Sequence, residues 1–141
     1  MEKHRAAADL SFRRSPSRTV TDGKRSTQAL GLRGEEIACA YLKKKKYVIV
    51  TRRFRMFHGE IDIIARDGAT LVFIEVKARA DESFGRPEDA VTQGKQRQIR
   101  KIAQGYLVEN PLGDAGCRFD VISILFDNDD GYRLEHFVDA F

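Results

Sequence analysis

Residues 59–79 read GEIDIIARDGATLVFIEVKAR, and the fold turns on how this stretch is understood. Two apolar runs of strand type, Gly59 to Arg66 and Thr70 to Ala78, flank Asp67-Gly68, a hairpin signal. In Leu71-Val72-Phe73-Ile74 both faces are apolar, which marks a central strand covered on each side. Charge nevertheless intrudes, as Asp62 in the first run and as Glu75 and Lys77 in the second. A buried charge is strongly unfavourable unless it is paired, so these positions need a chemical reason.

Strand alternation supplies one. Leu71, Phe73, Glu75 and Lys77 share a face that begins in the core and ends in two charges. A two-residue loop at Asp67-Gly68 sets Asp62 opposite Phe73 and diagonal to Glu75, whereas a four-residue loop, 67–70, sets Asp62 opposite Glu75. Both registers put the two carboxylates on one face; a three-residue loop separates them. Carboxylates about 5 Å apart repel, and their proximity calls for a proton or a cation. With oxygen ligands and no His or Cys at ligand spacing, the fitting cation is a hard one, Mg²⁺ or Mn²⁺.

Outward from the hairpin, the apolar positions Ile37, Ala38, Tyr41 and Leu42 predict a helix over Leu32 to Lys46, closed by the basic run Lys43 to Lys46. Glu35 extends the apolar stripe of that helix and aims at the sheet, while Glu36 turns roughly 100° away. Its plainer reading is an acidic residue favoured at a helix N-terminus. Tyr47 to Phe54 reads as a strand, and a polar loop covers 80 to 88. Ile99, Ile102, Ala103, Tyr106 and Leu107 form one stripe of a second helix, stopped by Asn110-Pro111. Arg118 to Phe126 and Tyr132 to Val138 complete the strands. The expectation is an α/β domain with an αβββαβ core: a mixed central sheet flanked by helices, with a crossover helix leading to a parallel neighbour.

The 141 residues suffice for one domain, and 42% hydrophobic content supports a sizeable core. Residues 1–29, rich in Arg, Ser, Ala and Thr, are expected to be a disordered basic tail ahead of a domain over 30–141, although an organellar transit peptide has similar composition. No run approaches the roughly 18 apolar residues of a membrane span, and no secretory segment opens the chain, so a cytoplasmic protein with no membrane partner is expected. Cys39 and Cys117 read as reduced structural cysteines, and Gly94-Lys95 lacks the rest of a phosphate loop. The formal charge of +4 hides a division: residues 31–108 carry sixteen basic against ten acidic side chains, and residues 109–141 two against eight. Such basic clustering attracts phosphate polymers, while a solvated face is its commoner meaning.

A metal held by Asp62 and Glu75 suits phosphodiester hydrolysis, with Lys77 orienting the attacking water; simple Asp/Glu/Lys pairing at a strand end is the bland alternative. The pattern D-x12-E-x-K across a hairpin, after a helix bearing a Glu, resembles the P-D-(D/E)-x-K nuclease superfamily with its restriction-endonuclease-like fold. Gly34-Glu35, GEIDIIARDG, LVFIEVKAR, FGRPEDAV and the closing HFVDAF narrow the resemblance to the YraN-type (UPF0102) family of predicted endonucleases, similar to archaeal Holliday-junction resolvases, over about residues 31–141. That resemblance implies Asp62 and Glu75 as metal ligands, Lys77 as the catalytic lysine and Glu35 as an auxiliary carboxylate. It implies DNA as the partner, branched or junction DNA included, and a homodimer where a junction enzyme must present two sites. The rival reading is a non-catalytic nucleic-acid-binding module with a vestigial site.

Secondary candidates surround this group. Glu60 reads either as a ligand or general base or as a strand entry near the metal. Arg52, Arg53 and Arg55, with Phe54 and Phe57, form a basic and aromatic segment suited to a nucleic-acid backbone, or an amphipathic edge strand. Arg79, Lys95 and Gln98 are candidate phosphate contacts, with an ordinary solvated surface as the alternative for each.

Overall fold

The computed structural model describes the backbone of residues 11–14 and, with side chains, residues 27–80, 91–127, 129 and 131–141. Its elements run β1 (Ser11–Arg14), α1 (Thr27–Lys44), β2 (Val48–Met56), β3 (Gly59–Asp67), β4 (Thr70–Arg79), α2 (Gln93–Glu109), β5 (Cys117–Phe126) and β6 (Gly131–Phe137). They form one six-stranded sheet in the order β1-β6-β5-β4-β3-β2. Every neighbouring pair is antiparallel except β4 and β5, which run parallel through the α2 connection. The fold is therefore the mixed α/β sheet with an αβββαβ, restriction-endonuclease-like core that the sequence pattern predicts.

Why β4 lies at the centre follows from its two apolar faces. Val72 and Ile74 join Ala38 and Leu42 of α1 and Ile122 and Ile124 of β5 in one buried cluster. Leu71 and Phe73 join Ile99, Ile102 and Tyr106 of α2 in a second cluster on the other face. One helix thus covers each side of the sheet, and the alternation of β4 divides its residues between them.

Two glycines set the close approaches. A Cβ at Gly34 would lie 2.7 Å from the Cβ of Ala78, so α1 packs against the end of β4 at a distance only glycine allows. Gly68, at φ +60°, makes the two-residue turn Gly68-Ala69 between the paired residues Asp67 and Thr70. That turn fixes Arg66 opposite Leu71 and Ile63 opposite Ile74. The register is the second of the two favourable ones, with Asp62 one step beyond the Ile63–Ile74 pair and therefore opposite Glu75.

One expectation needs correction. α1 begins at Thr27 rather than Leu32, because Leu30 is buried in the α1 cluster and the helix stripe extends back to it. Within the expected disordered tail, Ser11–Arg14 form β1 on the otherwise open edge of β6; four residues are too few to show a strand period in sequence. The remainder of that tail up to residue 26, and most of the loop at 80–88 with its FGRP segment, lie outside the described residues. Among the described residues no helix is long and apolar enough to cross a membrane.

Candidate metal centre

β3 and β4 stop pairing at Ile63–Ile74, although both strands continue. Val76 donates its backbone N–H to Asp62 Oδ2 at 2.8 Å, so a carboxylate takes the place of the next ladder acceptor. Ile61 packs in the α2 cluster and Ile63 in the α1 cluster, although two residues apart on one strand they would normally share a face. Alternation therefore breaks at Asp62. Asp62 and Glu75 meet because the ladder opens between them, and not through the shared face that regular alternation predicts.

Into this opening three acidic side chains converge, with Glu75 next to one of them. One carboxylate oxygen each from Glu35, Glu60 and Asp62 lies within 4.8 Å of the other two. Glu75 lies beside Asp62, where two carboxylates repel unless a proton or a cation stands between them. Burial pushes the Asp62 carboxyl above its ordinary range, against the lowering pull of the Val76 amide. Burial, and then the charge of Asp62, push Glu75 up to about 8, although Lys95 and Lys77 act in the other direction. Glu75 Oε2 is buried with no donor among the described residues directed at it.

Glu35 stands two turns inside α1, where the closeness of Gly34 to Ala78 delivers it to the end of β4. The helix N-terminus reading of this residue falls with that placement. Glu60 joins the acidic group, which spacing alone left undecided, since regular alternation says nothing of a strand that twists at its next-but-one residue.

The basic candidates mostly pair with these carboxylates while staying exposed. Arg53, in the left-handed region at φ +54°, bonds Glu35 Oε2 through Nε at 2.8 Å, with Arg52 Nη2 at 3.9 Å from the same oxygen. Arg55 Nε reaches Glu60 Oε2 at 3.1 Å. Thr92 caps α2 by accepting from the Lys95 amide, and the Lys95 side chain then lies 3.7 Å from Glu75 Oε1. Lys77 is exposed on β4 next to the pair, and its charge is felt at Glu75. Gln98 packs over Gly59, where a Cβ would come 2.7 Å from its Nε2. Arg79 is only 8% exposed, which removes the ordinary-surface reading. Phe54 is packed edge-on against Tyr106 at 5.1 Å, whereas Phe57 is exposed, so the aromatic pair of the basic segment divides between core and surface.

A second polar network went unnoticed in the sequence. Asp120, wholly buried on β5, accepts from His136 Nε2 at 2.8 Å, Arg118 Nε at 3.0 Å and the Asp139 amide at 3.0 Å. Burial pushes this carboxyl up, but the bonds from His136, Arg118 and Asp139 outweigh it and hold the group below its ordinary value. Arg118 also reaches Asp67 and Tyr47, and Tyr41 bonds His136 Nδ1, tying α1, β3, β5 and β6 together. A single Asp inside the apolar run FDVISILF was the available signal. With each partner satisfied, the network reads as a structural clamp.

The mixed sheet with its αβββαβ order places the chain in the restriction-endonuclease-like class of α/β folds. Comparison with known sequences gives the family: residues 34–124 match the model of the uncharacterised protein family UPF0102. The chain is 48% identical over 122 residues to a UPF0102 protein of Geobacter sulfurreducens, covering 86% of this chain and 95% of that one. Identity is 49% over 121 residues with a UPF0102 protein of Geotalea uraniireducens, at 86% and 95% coverage. It is 48% over 117 residues with one from Chlorobium phaeobacteroides, at 79% and 92% coverage. The chain belongs to the UPF0102, or YraN-type, family.

Proposed function

We propose that this protein is a Mg²⁺- or Mn²⁺-dependent endonuclease that hydrolyses phosphodiester bonds in DNA, branched or junction DNA included. The observation that carries the reading is the buried Asp62–Glu75 pair, where burial and mutual charge call for a proton or a cation, with no donor to Glu75 Oε2 among the described residues. All the candidate ligands are carboxylate oxygens, the donor set of a hard divalent cation. Asp62 and Glu75 would hold the ion, and the Glu35 and Glu60 oxygens beside Asp62 would complete its shell directly or through water. Bound there, the ion supplies Lewis-acid polarisation of a phosphoryl oxygen and a more acidic water.

The chain's own residues do the remainder. Val76 fixes the rotamer of Asp62 through its amide. Lys77, exposed at the mouth, orients the attacking water and offsets charge developing on the phosphate. Arg52, Arg53 and Arg55 neutralise Glu35 and Glu60, which lowers the repulsion a phosphate backbone meets on approaching four carboxylates. Labelled duplex, single-stranded, flap and four-way-junction DNA incubated with Mg²⁺, Mn²⁺ or EDTA tests the reading. Metal-dependent internal cleavage is the expected result; tight binding without cleavage under either metal would favour the binding-module alternative.

A further inference from the structure

The β2–β3 turn presents an aromatic side chain that the metal centre does not use. Phe57 is 52% exposed, and both Phe57 and His58 sit in the left-handed region, at φ +53° and +58°. Residues without glycine's freedom at both positions of such a turn hold the backbone in strain. Core packing does not explain that strain, since about half the ring faces water. The ring edge rests on Gly105 of α2, where a Cβ would lie 2.8 Å from Phe57 Cε2, and Lys101 Nζ stands 5.1 Å from the ring centroid. Its position is thus held by α2 rather than left to a loose loop.

The same helix links this ring to the carboxylates. Lys95 meets Glu75, Gln98 covers Gly59, and Lys101 and Gly105 meet Phe57, a spacing of three to four residues that makes one stripe. From Lys95 to Lys101 the stripe advances roughly 9 Å along the helix. That is two or three nucleotides at the duplex rise of about 3.4 Å per nucleotide. A polar and cationic track therefore runs from the acidic opening to an exposed aromatic ring, with Arg55 on the neighbouring strand. Cations along a track suit a phosphate backbone, and a ring held half in solvent at its end suits the face of a base.

We infer that Phe57 is a stacking platform for an unpaired base of the nucleic-acid strand that crosses the metal centre, so that the protein prefers single-stranded or unstacked DNA over intact duplex. This inference rests on the nucleic-acid reading above and names the feature of the substrate that the site selects. A base inside a continuous duplex has its faces covered by its neighbours and cannot stack on Phe57.

The test uses the full chain in EDTA, so that cleavage plays no part. Fluorescence anisotropy with a labelled oligothymidine and with a blunt duplex of equal length is compared for wild type and Phe57→Ala. Because the side chain is exposed, the substitution spares the core. Single-strand binding should weaken about 5- to 100-fold, the equivalent of ~1–3 kcal/mol for one stacked base, while duplex binding stays unchanged. The chain has no Trp, so Phe57→Trp provides a single reporter whose emission should be quenched by the oligothymidine and not by the duplex. Equal binding of both DNAs by wild type and Phe57→Ala, with no quenching in Phe57→Trp, overturns the inference alone. So does a change of oligomeric mass in Phe57→Ala with DNA binding intact, which would make the ring a contact between copies. Wild type that binds neither DNA removes the inference together with the nucleic-acid reading.

Discussion

Glu75→Gln separates a carboxylate that is buried for structure from one that is buried for a cation. In the wild type, burial and Asp62 lift Glu75 from 4.5 to about 8, so the native state keeps a proton that the unfolded chain releases. Stability from this group is full below about pH 4.5, declines as pH rises through the window, and is gone above about 8. Each pH unit of that window contributes ~1.4 kcal/mol, which places the total on the order of 3–5 kcal/mol. The amide cannot ionise, so Glu75→Gln lacks this slope and should exceed wild type at pH 9 by a few kcal/mol. At roughly 2–4 °C per kcal/mol for a chain of this size, the difference in Tm approaches ~10 °C. Differential scanning calorimetry of both proteins in EDTA at pH 5, 7 and 9 measures it. Saturating Mn²⁺ at pH 8 should then reverse the order, since binding to the native state raises wild-type stability and the amide is a poorer ligand. Parallel Tm profiles of the two proteins from pH 5 to 9 would refute the reasoning.

Three further outcomes follow from named contacts. Lys77→Ala should lower the rate of DNA cleavage by on the order of 100-fold or more and leave Mn²⁺ affinity within a few-fold of wild type, because this lysine serves the reaction and not the ion. Gly34→Val should destabilise the fold by ~1–3 kcal/mol in urea unfolding, since α1 must move away from Ala78, and should weaken metal binding by shifting Glu35. His136→Ala leaves Asp120 short of its shortest bond in a wholly buried place and should cost about 3 kcal/mol, measured the same way, without altering metal affinity.

Much of this architecture was legible in the sequence because single residues settled it. Asp67-Gly68 and two apolar runs gave the hairpin, and Leu71 to Ile74 placed its second strand at the centre. Asp62, Glu75 and Lys77 stood out because charge there contradicts the apolar pattern around it. Other features depend on distances that no local pattern encodes. Lys95 meets Glu75 only after α2 folds back onto the sheet, and Glu60 joins Glu35 only because the ladder opens and alternation breaks between Ile61 and Ile63. Asp120 carried the same signal as Asp62, a lone acid in an apolar strand, but two of its partners, His136 and the Asp139 amide, lie on or beyond β6 and meet it only once the sheet has formed. Phe54 and Phe57 looked alike until the turn divided them.

Isothermal titration of Mn²⁺ into the full chain at pH 7, repeated in buffers of different ionisation enthalpy, tests the account at its centre. Binding should be saturable and should release close to one proton per protein, the proton shared by Asp62 and Glu75. Glu75→Gln should bind far more weakly and release none. Heats indistinguishable from dilution up to millimolar Mn²⁺, or binding without proton release that Glu75→Gln leaves unchanged, would contradict the account, because the charged strands would then have no cation to explain them.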